Sequence, residues 1–272
     1  MNWNIKFITE ENFRLHVANT IKAYGKKLLP YDLDKLNDNL IDPIKMIFDK
    51  NVYQESWEEL IKGEIFRQRD KASNNDIGYF HQRIFQYFDG CHVPDNGKEG
   101  GWDVIYENNN GIALPEGDIV HTVYVEMKNK HNTMNSSASA NTYIKMQNQI
   151  LNNDDCSCFL VEAIAKKSQN IKWEATVNKH KVGHRLIRRV SMDKFYELVT
   201  GTNDAFYQIC MVLPSVIQSV VSENEQICTP NDTAYQELIE LAKTHGSDDL
   251  AFSMALYMLG FATYNGFKQE KI

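Results

Sequence analysis

Between His121 and Ala165 the chain reads strand, helix, strand, and this segment constrains the fold most. His121 to Lys128 alternates apolar and polar residues, Asn141 to Leu151 has helical spacing, and Cys158 to Ala165 is an almost unbroken apolar run. An alternating strand buries one face, whereas a continuously apolar strand is covered on both. A helix between two such strands is a crossover within one sheet. Gly101 to Tyr106 alternates upstream, and Asn108-Asn109-Asn110-Gly111 and Pro115-Glu116-Gly117-Asp118 mark turns. Ile171 to Val177 reads as a further strand. Arg185 to Val190 is extended and runs into a helix capped by Ser191, with Asp193 in its first turn and Gly201 after its end.

The flanks change period. Thr9 can cap a helix to Tyr24, with Phe13, Val17, Ile21 and Tyr24 on one face and Gly25 stopping it. Asp42-Pro43 opens a short helix, and Ser56-Trp57-Glu58-Glu59 is a capping box that opens another to about Lys71. A separate helix fits Ile77 to Phe88, and Asp204 to Ala262 is helical. No internal repeat or low-complexity tract is visible. The expectation is an α/β (α+β) fold, a mixed central sheet with helical decoration at both ends. It forms a single domain over residues 1–272: a mainly helical segment over 1–90, a sheet core over 91–203 and a helical segment over 204–272.

At 272 residues the chain can bury a substantial core without staples. Lys and Arg number 29 against 36 Asp and Glu, so the net charge of −7 excludes a protein that holds nucleic acid by bulk positive charge alone. The five cysteines are irregularly spaced, and Met1 to Lys6 lacks the pattern of a signal peptide, so a reduced, cytoplasmic protein is expected. Cys156 and Cys158 read as buried or free thiols, since no second pair stands at zinc-ligand spacing. The run Leu250 to Tyr264 is too short to span a bilayer and reads as a buried C-terminal helix; no membrane partner is expected.

On the strand Thr122 to Lys128, Val123, Val125 and Met127 share one face, and Tyr124, Glu126 and Lys128 share the other. Asp103 lies in the alternating segment upstream, read as a neighbouring strand. An Asp and a Glu on adjacent strands can converge on one hard divalent cation, and Mg2+ suits such oxygen ligands. The cation would lower the pKa of a bound water and neutralise charge on a phosphate, while Lys128 orients the attacking water. Spacing alone is weak support, because Glu-x-Lys is common on solvated strand faces.

The segment Gly101-Trp102-Asp103-Val104 with Val125-Glu126-Met127-Lys128-Asn129-Lys130-His131-Asn132-Thr133-Met134-Asn135-Ser136-Ser137 resembles the core of type II restriction endonucleases. The family includes the AvaII- and SinI-like enzymes that cut GGNCC or GGWCC sites, within the PD-(D/E)xK nuclease superfamily. Arg67 to Lys71, Ile77 to Gln82 and Val190 to Tyr196 fit the same family, so the likeness runs from about Glu64 to Gly201. Trp102 stands where the general pattern has Pro. The resemblance implies Asp103 and Glu126 as metal ligands and Lys128 as the catalytic lysine. It also implies Mg2+ as cofactor, double-stranded DNA as substrate and 5′-phosphate ends. A GGNCC-like palindrome implies a homodimer, and the family implies a companion DNA methyltransferase. A structure-specific nuclease on the same core, such as a junction resolvase, and a non-cleaving DNA-binding module are the alternatives.

Glu64 lies on the apolar stripe Trp57, Leu60, Ile61, Glu64, Ile65, Gln68, where a carboxylate needs a partner or a metal. It is either a further metal ligand or the partner of Arg67 or Lys71. Between Lys166 and Arg189 eight Lys and Arg face one acid, Glu174. Within this basic island Lys179, Lys181, His184, Arg185 and Arg188 are candidate DNA contacts, since Arg and Lys read guanine best. Asn129, Lys130, His131, Asn132, Asn135 and Ser136 follow the catalytic strand and are candidate phosphate or base contacts, with Lys145 and Gln147 weaker ones. His81, on a stripe with Phe80 and Ile84, is read as a core histidine with a satisfied hydrogen bond.

Overall fold

Strand β3 (Ile119–Lys130) is central to the fold in the computed structural model, which describes residues 3–25, 29–223, 230–246 and 248–264. It pairs antiparallel with β2 (Val104–Ala113) and parallel with β4 (Cys156–Ile164). The parallel pairing requires a crossover, supplied by α5 (Ser136–Asn152). Asn135 starts α5 by accepting the Ala138 N–H at 2.8 Å. The sheet continues with β6 (His180–Ser191), parallel to β4, and β5 (Asn170–Val177), antiparallel to β6; β1 (Cys91–His92) edges β2. The order β1-β2-β3-β4-β6-β5 is the expected mixed sheet.

The chain gathers into two units, Met1–Ile21 with Asp76–Glu223 and Lys22–Asn75 with Asn224–Ile272, whose borders do not follow the three linear segments. The first unit holds the sheet. On one sheet face α5 packs Tyr143 and Met146 against Cys158, Leu160, Trp173 and Ile187. The other face carries α1 (Glu10–Gly25), α6 (Met192–Thr200) and α7 (Ala205–Ser222), with Phe13, Val17, Phe195, Val199 and Ile209 around Val123, Val125, Phe159 and Val161. Strand β4 lies between the two layers, which explains its apolar run. The second unit is helical: α2 (Leu33–Asn37), α3 (Pro43–Tyr53), most of α4 (Trp57–Arg83), α8 (Ala234–Lys243) and α9 (Asp249–Gly260). Leu36, Met46, Ile61, Leu238 and Leu256 are among its core residues.

Several local expectations are corrected. The two helices expected across Trp57 to Phe88 are one α-helix of 27 residues, α4, followed by a 3-10 turn at Ile84–Tyr87. The polar stretch Ala72 to Asp76 contains neither Pro nor Gly, so nothing interrupts the hydrogen bonding. Asn108 to Gly111 is not a turn. Strand β2 continues through it with a register shift between Glu107 and Ile112, and Gly111 takes φ +84°. The reversal comes at Pro115 to Asp118, where Gly117 takes φ +92° and Leu114 N–H donates to the Asp118 carbonyl. Ser191 precedes α6, but its hydroxyl engages Asp193 and the Gln169 carbonyl and makes no cap bond to a helix N–H.

The C-terminal helix α9 buries Ala251, Ala255 and Leu256 but leaves Leu250 exposed. The longer apolar helix is α7, 18 residues of mean hydropathy 1.5, long and apolar enough to cross a membrane by length alone. Its Ala205, Ile209, Val216 and Val220 pack into the core beneath the sheet, while Tyr207, Met211, Ile217 and Val221 are exposed. Cys91, Cys156, Cys158 and Cys210 are free thiols; Cys228 lies outside the described residues.

Candidate active site and nucleic-acid face

Asp103 lies one residue before β2. Its backbone N–H donates to the Val125 carbonyl at 2.9 Å, and its carboxylate accepts the Met127 N–H at 2.7 Å. The side chain therefore continues the β2–β3 ladder and is fixed against the strand that carries Glu126. Glu126 and Lys128 share the α5 side of the sheet, opposite Leu160 and Glu162 of β4. Lys128 Nζ donates to Glu126 Oε1 at 2.8 Å. The structure thus brings together Asp103, Glu126 and Lys128, the three residues expected at the centre of the chemistry.

A lysine from α5 joins them. Lys145 Nζ donates to Glu126 Oε2 at 2.9 Å and to the Gly101 carbonyl at 2.7 Å, and it lies 4.0 Å from the centre of the Trp102 ring. Burial, with the nearby Glu126 charge, pushes the Asp103 carboxyl up to about 6, against the Met127 hydrogen bond. Burial also works against the Glu126 carboxylate, but the hydrogen bonds and charges of Lys128 and Lys145 outweigh it and hold its pKa below the usual value. Both lysines hydrogen-bond Glu126, whereas Asp103 feels their charge without a direct bond and is held by the Met127 N–H.

Beyond Lys128 lies a small cleft of about 50 Å³, lined in part by Lys128, Lys130, Asn132, Glu162, Trp173 and Arg189. Glu162 is buried and paired with Arg189, and His131 Nδ1 lies 3.1 Å from its Oε2 and 2.7 Å from Arg189 Nη2. One ring nitrogen can serve only one of these neighbours, as donor to Glu162 or acceptor from Arg189. Burial opposes ionisation of Glu162, but Arg189 and His131 keep its pKa below the ordinary value. His131 is thus half-buried in an ionic cluster. Asn129 is half-buried at the end of β3, while Lys130, Asn132, Asn135 and Ser136 are exposed. Asn135 also spends its side chain on the α5 cap.

Most of the basic island lies on the β5–β6 hairpin, and much of its charge is compensated, by Glu174 within it and by acids from elsewhere in the sequence. Lys172 and Lys181 flank Glu174, Arg185 pairs with Asp118, Arg188 with Glu116 and Arg189 with Glu162. Lys166, Lys167 and Lys179 are exposed and make no ion pair among the described residues. Arg188, expected to contact DNA, is instead fully buried and bound to Glu116, Asn170 and the Arg185 carbonyl. By the alternation of β6 it shares a face with the buried Leu186 and Val190, which turns it inward. Lys181, Arg185 and Lys179 remain on the surface, and His184 is half-buried. At the hairpin tip Asn178 and Lys179 have φ +49° and +69°, the left-handed pair of a tight turn in which the second position favours Gly. A lysine there is locally unfavourable.

Glu64 is paired with Arg67, one of the two partners offered for it from the sequence. Arg67 and Gln68 engage both carboxylate oxygens; burial opposes ionisation, but these partners hold the pKa below the usual value. Among the described residues no group of three or more His, Cys, Asp and Glu could hold a metal ion. Arg69 pairs with Asp232 and stacks over Tyr31 at 4.8 Å. The core histidine that makes a backbone hydrogen bond is His16, to the Phe80 carbonyl at 2.9 Å; His81 packs edge-on against the Phe80 ring. Sequence reasoning missed Glu162 and Arg189 as a pair and gave Lys145 only a minor place. A carboxylate inside the apolar run Cys156 to Ile164 was the available signal, since a buried acid requires a partner.

The chain is similar to known type II restriction enzymes. The type II restriction enzyme Sau96I of Staphylococcus aureus is 28% identical over 252 residues, covering 90% of this chain and 91% of that protein. The type II restriction enzyme Eco47II of Escherichia coli is 26% identical over 228 residues, covering 80% of this chain and 89% of that protein. The sequence profile of the Eco47II restriction endonuclease matches residues 5–222, a span that holds the whole sheet and every residue of the carboxylate–lysine centre. The chain belongs to the Eco47II restriction endonuclease family.

Proposed function

We propose that this protein is a Mg2+-dependent type II restriction endonuclease that hydrolyses double-stranded DNA at a short, GGNCC-like palindrome and leaves 5′-phosphate ends. The observation that carries the reading is Asp103 and Glu126 on neighbouring strands with Lys128 beside them, in a chain of a restriction endonuclease family. Two carboxylates suit magnesium, which is commonly bound by one or two carboxylates, with waters and substrate phosphate completing the shell. Asp103 and Glu126 would hold it, and Glu64, paired with Arg67 and Gln68, is the further candidate ligand. Bound there, magnesium supplies charge neutralisation at the phosphate and acidifies a water.

The chain's own residues do the rest. The Met127 N–H fixes the Asp103 carboxylate, and the β3 backbone fixes Glu126 and Lys128 on the same face. Lys128, partly exposed beside the cleft, would orient the attacking water and stabilise the extra charge of the pentavalent phosphate. The exposed Lys130, Asn132, Lys179, Lys181 and Arg185, with Asn129, His131, Asn135, Ser136 and His184, are the proposed DNA-facing set. A two-fold homodimer would place one such site on each strand of a palindrome. A cytoplasmic location and a companion methyltransferase follow from the same reading.

The test is digestion of phage DNA of known sequence with Mg2+. Discrete fragments ending within GGNCC sites are expected. A smear, or cutting confined to branched DNA, would replace this reading with a non-specific or junction nuclease. No cleavage with Mg2+ or Mn2+ would defeat the enzymatic reading.

A further inference from the structure

Both oxygens of Glu126 are occupied by ammonium groups, Oε1 by Lys128 and Oε2 by Lys145. Lys145 holds more than the carboxylate. It also binds the Gly101 carbonyl and rests on the face of Trp102, so one ammonium bridges the segment that carries Asp103 and the strand that carries Glu126. A carboxylate oxygen and a backbone carbonyl around one positive centre form an oxygen set of the kind a hard cation takes. A divalent ion shared by Asp103 and Glu126 needs a Glu126 oxygen that an ammonium now fills. Lys128 occupies Oε1, whereas Lys145 has two partners besides Oε2, the Gly101 carbonyl and the Trp102 ring, that would hold it after that oxygen is released.

We propose that Lys145 is a built-in cation surrogate: its ammonium occupies Glu126 Oε2 before metal binds and is displaced from that oxygen when a divalent cation binds between Asp103 and Glu126. This inference rests on the metal-site reading above. It gives Lys145 a role in setting metal affinity, separate from the water-orienting role of Lys128. Without metal, the lysine keeps the half-buried carboxylate compensated and ties the Asp103 segment to β3. The cost of displacing it weakens metal binding until other ligands, such as substrate phosphate, add to the shell.

The test is calcium binding to the whole protein by titration calorimetry, without DNA. Lys145→Met and Lys145→Gln are compared with the wild type and with Lys98→Met, a surface lysine three residues from Gly101 that pairs with Asp95. Removing a charge-assisted hydrogen bond that competes for the ligand should tighten calcium about tenfold in both Lys145 variants. Lys98→Met should change it less than about twofold, as expected of an exposed charge. In the Glu126→Gln background the effect of Lys145→Met should vanish. Melting curves establish that each variant is folded. Equal or weaker calcium binding in both folded Lys145 variants, an equal gain in Lys98→Met, or no binding in any variant would overturn the proposal. If Glu126→Gln binds calcium as well as the wild type, the metal-site reading itself fails, whatever Lys145 does.

Discussion

The Asp103 carboxylate accepts the backbone N–H of Met127 at 2.7 Å, so an acid proposed to bind metal also completes the hydrogen bonding of the central strand. The two duties can be separated. Asp103→Asn keeps an oxygen for the Met127 N–H and removes the charge; Asp103→Ala leaves that N–H without its partner. Both variants should lose cleavage by at least about 10³-fold, as expected when a metal ligand goes. Only Asp103→Ala should lose stability, by about 1–3 kcal/mol for a buried unsatisfied donor. Denaturant unfolding beside a cleavage assay checks this, and equal stability loss in both variants would count against the ladder role.

Glu126→Gln and Lys128→Ala should each abolish detectable cutting while leaving specific DNA binding in calcium. Gel-shift and cleavage assays at matched protein concentration separate the two steps. A wild-type cutting rate in either variant would show that the site is assigned wrongly.

Arg188 and Arg185 lie three residues apart on β6 but should behave oppositely. Arg188 is fully buried, and Arg188→Ala leaves Asn170 and the Arg185 carbonyl without their partner while Glu116 stays solvated, so a loss of about 1–3 kcal/mol is expected. Arg185 is exposed and paired with Asp118, so Arg185→Ala should change stability by less than about 1 kcal/mol. If it faces DNA, that variant lowers affinity and reduces the slope of log K against log salt by about 0.9 for each phosphate no longer neutralised.

At the hairpin tip, Lys179→Gly should raise stability by up to about 1 kcal/mol, because φ +69° is costly for a side chain and free for glycine. The same change should weaken DNA binding and flatten its salt dependence. A more stable protein with unchanged DNA affinity would remove Lys179 from the DNA face.

His16, buried with its ring on the Phe80 carbonyl, has its pKa lowered to about 4, chiefly by burial; burial also lowers His81 to about 4. A histidine depressed in the folded state takes up its proton more readily when unfolded. Its contribution is therefore complete above the unfolded value near 6.5 and is lost as pH falls toward 4. Stability should fall by about 1–3 kcal/mol across that window from His16. His16→Phe should flatten the profile measured by urea unfolding; an unchanged slope would refute the assignment.

The alternation of Thr122 to Lys128 and the apolar run at Cys158 were legible in the sequence because each is a periodicity of two or of none, and burial on a sheet leaves no other pattern. The alternation alone placed Glu126 and Lys128 on one face. Caps at Thr9, Asp42 and Ser56 were legible for the same local reason: a helix end needs an acceptor within three residues.

Tertiary structure decided the charges. In the sequence, the basic island around Arg185 faces a single acid; in the fold, Glu116, Asp118 and Glu162 come to it from β2–β3 and β4 and consume three of its arginines. It likewise put Lys145 on Glu126 across a helix–strand contact and turned Arg188 inward. Spacing along a chain fixes which side of an element a residue occupies, but Coulomb pairing depends on distance through space, which exists only once the strands have chosen their neighbours.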